Sequence, residues 1–399
     1  MSNLSDIKSI ALINIGNIFP ALISAVLLPY YLIAMDENYY SLSLILLILN
    51  GLLVFESGIS RITALNVQLI NDRCGDESEV ISEISHGIIS LIVVLFTSII
   101  LALIVNSYVK LLTLYQIMNL SIFLIILCLG AMLRALQEVE GGYFHFSVAK
   151  TIYSLLLNAG IVYSIYLQDM SITALTNVAI VAKFIEVCYL SYFHNYKFNF
   201  TWVSTEKVLL NLKKTTANFL SNVLSSSFLF VDKNVIFVTV SSANASIYMG
   251  TQDIVLKYAI VLSSFTTLFL KNANNSSRKN ILISWMGLFH IIISIFALTA
   301  LDLLNLDIGV ISSDATLLFI VFLIGIFFNI AASLELVQLQ SRGKYTLIMR
   351  IQFFELFFFA LVLYVTSFFA SIMLIAIVWS GRMIIDYLLL NYNNRLSVQ

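Results

Sequence analysis

The sequence predicts an all-α polytopic membrane protein of about twelve transmembrane helices, arranged as two lobes of about six around a central cavity. Three observations carry that expectation. Hydrophobic residues form 60% of the 399 and charged residues only 11%, whereas soluble domains are about 45–50% apolar and about 25% charged. Apolar runs of roughly the 20 residues that a spanning helix needs recur from end to end, and mean hydropathy is +0.96. The short connections between those runs alternate between basic and acidic.

The chain opens on a polar segment, MSNLSDIK, followed by an apolar run to about Ala34. That run exceeds the roughly 7–15 residues of a signal-peptide core, and no small-residue cleavage site closes it. It is read as a retained first span, about 8–34. The only prolines, Pro20 and Pro29, lie within it and bend it, while Asn14 and Asn17 supply interhelical hydrogen bonds or face a cavity. Further spans follow at about 41–64, 86–106, 112–134, 148–167, 172–193, 214–238, 248–270, 281–301, 314–338, 347–368 and 370–391. Continuous apolar runs indicate helices, because a membrane barrel would show shorter alternating segments.

Lys and Arg in short loops set the orientation. With the N-terminus inside, the cytoplasmic connections hold Arg73, then Arg134 and Lys150, then Lys197, Lys207, Lys213 and Lys214. Later ones hold Lys271, Arg278 and Lys279, then Arg342, Lys344 and Arg350, with Arg395 in the tail. Outside loops carry Asp36, Glu37, Asp169, Asp302, Asp307 and Asp314, and a single basic residue, Lys110. Both termini are therefore placed inside. The basic connection at 194–214 divides the chain into lobes 1–205 and 206–399. The stretch NIGNIFPALISAVLLPYYLIAMDENYY loosely echoes NFLSNVLSSSFLFVDKNVIFVTVSSANASIY, as parallel repeats would.

Several function classes drop out. No GxxxxGK[ST] loop is present, no basic tract with interleaved aromatics suggests nucleic acid, and Cys74, Cys128 and Cys188 have no disulfide or metal spacing. The histidines, His86, His145, His194 and His290, are dispersed. No nucleophile, base and orienter group together, so no catalytic residue, cofactor or metal is expected.

What remains are charges inside spans, which are expensive and therefore meet a partner or a wet cavity. Lys183 and Glu186 stand three residues apart, Asp253 and Lys257 four, and Arg382 and Asp386 four, spacings that share a helix face. Each pair either neutralises itself within the bundle or lines a cationic cavity for an anionic substrate. Lys183 and Arg382 fall near mid-span and are the leading substrate contacts. Lys233 and Lys257 lie nearer the outside, and Arg61 sits at the inner end of the second span, where lipid phosphate is an alternative partner. The acids Glu56, Asp232, Asp253 and Glu355 are candidates for coupling to an ion, since an apolar setting favours the neutral acid. Glu335 and Glu355 are read as lying near inner ends, within reach of water.

Several stretches resemble one family. ENYYSLSLILLILNGLLVFESGISRITAL, with Glu56, Ser57 and Gly58, and LRALQEVEGGYFHFSVAKTIYSLLLN look like the second helix and the fourth-to-fifth connection of Wzx-type oligosaccharide flippases, in the multidrug/oligosaccharidyl-lipid/polysaccharide exporter superfamily. The Asp232–Lys233 pair with Tyr248, the stretch ELVQLQSRGKYTLIMRIQFFELFFFALVLY, and IVWSGRMIIDYLLL with Arg382 and Asp386 are similar to later parts of that family. Lys271 stands where the family often has proline, and Lys183 and Lys233 where arginine is common; lysine keeps the charge and loses the bidentate fork for phosphate.

The resemblance implies translocation of an undecaprenyl-pyrophosphate-linked oligosaccharide across the bacterial inner membrane by alternating access, coupled to H+ or Na+. Membrane lipids, an O-antigen polymerase and a chain-length regulator are the implied partners. Alternatives are a small-molecule or drug antiporter of the same superfamily and an O-antigen polymerase. The short, acidic outside loops fit the polymerase poorly.

Overall fold

The computed structural model describes residues 2–52, 59–72, 75–110, 112–139, 142–193, 204–262, 276–303, 313–342 and 344–396. They fold into thirteen α-helices and a short 3-10 turn at Asp36–Asn38. The helices are α1 (Ser2–Met35), α2 (Tyr39–Gly51), α3 (Ile59–Asp72), α4 (Glu77–Val109), α5 (Leu114–Val139), α6 (Tyr143–Tyr166) and α7 (Ile172–Tyr192). The second half holds α8 (Thr205–Thr239), α9 (Ser242–Leu262), α10 (Ser276–Leu303), α11 (Ser313–Ser341), α12 (Tyr345–Ser367) and α13 (Ile372–Leu396).

Every expected span meets a helix. The second is divided between α2 and α3, with residues 53–58 outside the described set. Eight of the described helices are long and apolar enough to cross a membrane by length and composition, which makes this a multi-pass membrane protein. Apolar stretches of α2 and α10 are shorter. α8 and α9 fall short because their polar and charged side chains, among them Asp232, Lys233, Asp253 and Lys257, dilute the apolar run.

Helix ends follow local chemistry. Ser171 caps α7, its Oγ accepting from the Ala174 amide at 3.2 Å, which satisfies one orphan donor. Lys110 closes α4 in the left-handed region at φ 53°. Asn106 steadies that turn, accepting from Leu112 N and donating to Leu112 O, both at 2.9 Å.

The chain divides into two compact units, Met1–Ile23 with Ile45–Val223, and Ser24–Leu44 with Leu224–Gln399. α1 is therefore shared, and its transfer falls between Pro20 and Pro29. In the first unit α7 packs on α5 and α6, and α3 packs on α4 and α5. Ile59, Val67, Val80, Leu91, Cys128 and Leu136 form part of its core. His86 ties the entry of α8 to α4, its Nε2 accepting from Ser204 N at 3.1 Å.

In the second unit α11 makes its most extensive contact with α13 and also packs on α9. Tyr248, Phe322 and Trp379 stack edge to face, at centroid distances of 5.1 and 5.2 Å. Gly325 lets α11 approach α13 closely: a Cβ there would lie 2.7 Å from Ser380 Oγ and 2.8 Å from the Trp379 ring.

Candidate functional site

Asp232 and Lys233 are neighbours on α8, so they point about 100° apart around the helix and serve different networks. Lys233 Nζ donates to Ser43 Oγ at 2.7 Å and to Asp253 Oδ1 at 3.0 Å. The other Asp253 oxygen accepts from Ser43 Oγ and Tyr39 OH, both at 2.8 Å. One lysine thus joins α2, α8 and α9 while almost fully buried. Asp232 has only neutral donors: Gln252 Nε2 at 2.7 Å and Tyr248 OH at 3.0 Å meet Oδ2. Its Oδ1 is buried with no hydrogen-bond partner among the described residues.

The expected Asp253–Lys257 pairing gives way to Asp253–Lys233. Lys257 feels the Asp253 carboxylate electrostatically, but Lys233, inserted from α8, occupies the bonding position.

A second cluster of this unit gathers Arg382 and Asp386 of α13 with Glu355 of α12. The Arg382 guanidinium stacks 3.9 Å over the Phe228 ring, and its Nη2 donates to Met383 Sδ at 2.9 Å. Its Nε is buried without an acceptor among the described residues. Asp386 attracts Arg382, yet the two do not close to an ion pair, because the aromatic face holds the guanidinium. Glu355 and Asp386 act on each other electrostatically. Glu355 stands ten residues into α12, about 15 Å along the helix, so it lies mid-helix and buried rather than at a hydrated inner end.

Glu335 departs from expectation too. It is buried and accepts from Lys279 Nζ and Asn394 Nδ2, each at 2.7 Å. Lys279 also reaches Gln338 Oε1 at 3.0 Å. This satisfied network fastens α10, α11 and α13 together.

In the first unit Lys183 and Glu186 pair as their spacing suggests, at 2.6 Å. Lys183 Nζ also sits 4.6 Å from the Tyr153 ring centroid. Sequence reasoning placed Arg134 in a cytoplasmic connection; it belongs to α5, and its Nε approaches Glu186 Oε1 at 3.5 Å. Two cations therefore share one buried acid, with Lys150 adding further positive potential. Gly130, one turn before Arg134, leaves the room that the Lys183 stem fills: a Cβ there would stand 3.1 Å from Lys183 Cε. Glu56 and the side chain of Arg61 lie outside the described residues.

Each unit thus buries a charged cluster, with opposite balance. α5 and α7 hold two cations to one acid; α12 and α13 hold one cation to two acids, with Asp232 of α8 also within electrostatic reach of Arg382. A cationic cluster suits an anion, and an acidic one suits a proton or a cation.

Solved structures share this architecture. A MOP-superfamily transporter from Pyrococcus furiosus, described by the reversed polarity of its binding pocket, is 13% identical, with a TM-score of 0.67 over 98% of this chain and 95% of that one. A multidrug-resistance MATE transporter of the MOP superfamily in an outward-facing conformation is 13% identical, with a TM-score of 0.66 over 98% of this chain and 96% of its own. The chain shares the fold of these solved structures. An inward-facing MATE structure matches as well, at 12% identity and a TM-score of 0.62 over 96% and 95% of the two chains. No protein-family model and no curated protein matches the sequence. At such identities the fold is what carries across.

Proposed function

We propose that this protein is a membrane transporter, not an enzyme, and that it flips an undecaprenyl-pyrophosphate-linked oligosaccharide from the cytoplasmic to the outer leaflet of a bacterial inner membrane. Both termini face the cytoplasm in this reading. One observation carries it: in the first unit, helices of membrane-spanning character hold cations in excess of the acid between them, Arg134 and Lys183 around Glu186. Buried surplus cations are costly and have a use when an anionic headgroup completes the balance. A diphosphate-sugar cannot cross hydrocarbon unaided, and a polar, basic route lowers that barrier while the lipid tail stays in the bilayer. The acids of the second unit, Asp232, Asp253 and Glu355, supply the coupling to an ion gradient.

The acid surplus around Arg382 favours a second reading, export of a small organic cation in exchange for an ion. Deleting the gene and analysing lipid-linked glycans separates the two. The flippase reading requires single repeat units to accumulate on the inner leaflet while surface polysaccharide disappears. An unchanged glycan profile with new drug sensitivity would establish the cation exporter. Repeats that reach the outer leaflet unpolymerised would make the protein a polymerase.

A further inference from the structure

His86 has both ring nitrogens committed. Nδ1 lies 2.5 Å from Ser82 O, which only accepts, so Nδ1 carries the hydrogen. Nε2 lies 3.1 Å from Ser204 N, which only donates, so Nε2 keeps its lone pair. His145 and His290 instead set Nδ1 against a tyrosine hydroxyl, a group that both donates and accepts. Those contacts survive a change of protonation, and the Ser204 contact does not.

The bond to Ser204 has a structural task. Ser204 stands just before α8, and its carbonyl accepts the first bond of that helix from Val208 N at 3.2 Å. Its own N–H is the donor that a glutamate or glutamine three residues on often satisfies. Here that residue is Lys207, which has no acceptor to offer. A histidine from α4 supplies the acceptor instead.

A proton on Nε2 ends this arrangement. It sets N–H against N–H across 3.1 Å and leaves a cation on a side chain only 2% exposed, which is costly without a partner. A partner stands one turn earlier. Glu83 shares the His86 face of α4, and with Glu79, Ser82, Asn66 and Lys207 it lines a cavity of about 420 Å3. Asn66 Nδ2 donates to Glu83 Oε1 at 2.6 Å, so the α3 side chain beside that carboxylate is neutral. Of the other packed elements, α5 brings Arg134, which Glu186 engages, and α8 brings Glu206 and Lys207. The two glutamates of α4 outnumber Lys207 in the cavity, so a charged imidazole has carboxylates to turn toward.

We propose that His86 is a pH-sensitive latch: neutral, it holds the entry of α8 against α4; protonated, it turns to the Glu83 and Glu79 carboxylates and lets that entry go. The latch is closed at the alkaline end of the range in which histidine changes charge, about pH 5 to 8, and opens as pH falls through it. Leu212, eight residues on, packs against the core of α3, α4 and α5, so release is confined to the first two turns. α8 is also the helix along which the chain passes from the first unit to the second, between Val223 and Leu224. The latch therefore acts on the start of the helix that carries Asp232 and Lys233.

Solid-state NMR of the full chain in bacterial-lipid vesicles, with isotope-labelled histidine, reads the tautomer directly. Of the four histidines, the signal absent from His86→Gln belongs to His86. It should show a protonated Nδ1 and a bare Nε2 at about pH 8, and two protonated nitrogens at about pH 5. The opposite tautomer at the higher pH, or a ring still neutral at the lower, would overturn the proposal. Hydrogen exchange of residues 205–210, normalised to α12 at each pH, reads the latch itself. The wild type should lose about threefold to tenfold of protection between those two pH values, the worth of one hydrogen bond. His86→Gln keeps an acceptor that binds no proton and should stay protected throughout. His86→Lys carries a fixed charge and should be unprotected throughout; if it does not fold, the glutamine variant and the NMR titration still decide. Wild-type protection that ignores pH, or a glutamine variant that follows the wild type, would refute the latch.

Discussion

Replacing Asp253 with asparagine keeps its shape and removes its charge. Lys233 would then be left buried, with only Ser43 Oγ as an acceptor at 2.7 Å. The amide can turn its oxygen toward Lys233, but its NH2 then faces Tyr39 OH and Ser43 Oγ, both of which donate to Asp253 in the native network. Removing one partner of a buried ion pair costs about 3–5 kcal/mol. Asp253 retains 18% exposure and Ser43 still serves Lys233, so the lower end applies, about 3 kcal/mol. Equilibrium unfolding in mixed micelles, followed by circular dichroism, measures this. A cycle with Lys233→Met should return at least about 1.5 kcal/mol of coupling, the double variant recovering stability because no charge is left stranded. Asp253→Asn within about 1 kcal/mol of the wild type, or additive effects in the cycle, would refute the Lys233–Asp253 bond as the element joining α2, α8 and α9.

Substitutions at four other residues test the remaining packing and charge arguments by the same unfolding assay. Glu186→Gln should cost about 3–5 kcal/mol by stranding both Lys183 and Arg134, whereas Lys183→Met should cost only about 1–2 kcal/mol, because Arg134 stays to balance Glu186; equal losses would show that Arg134 does not take part. Gly325→Val should destabilise by about 1–3 kcal/mol through overpacking of α11 against Ser380 and Trp379, with Gly325→Ala milder in the same direction. Trp379→Ala should cost about 3–5 kcal/mol, since the indole is fully buried and packs on Phe322.

Contacts between near neighbours were readable from residue spacing. Lys183 and Glu186 pair three residues apart because one turn of helix leaves them little choice. Contacts set by helix packing were not. Lys233 finds Asp253 20 positions away and Ser43 190 away, and spacing along the chain carries no sign of either. Arg382 and Asp386 had the right interval, yet an aromatic ring from α8 took the guanidinium. Arg134 looked like a loop cation because its helix ends in polar residues; its side chain turns back toward Glu186.

By itself, then, the sequence determined the solvent this protein folds in and the elements that solvent permits. Long apolar runs must satisfy their backbone internally, which makes them helices. Tertiary structure alone decided which unit Ser24–Leu44 joins, which lysine meets Asp253, and that Phe228 takes the Arg382 guanidinium. The physical reason is range. Hydrophobicity and helical hydrogen bonding act over a few residues, whereas a buried charge is balanced by whichever helix packing brings against it.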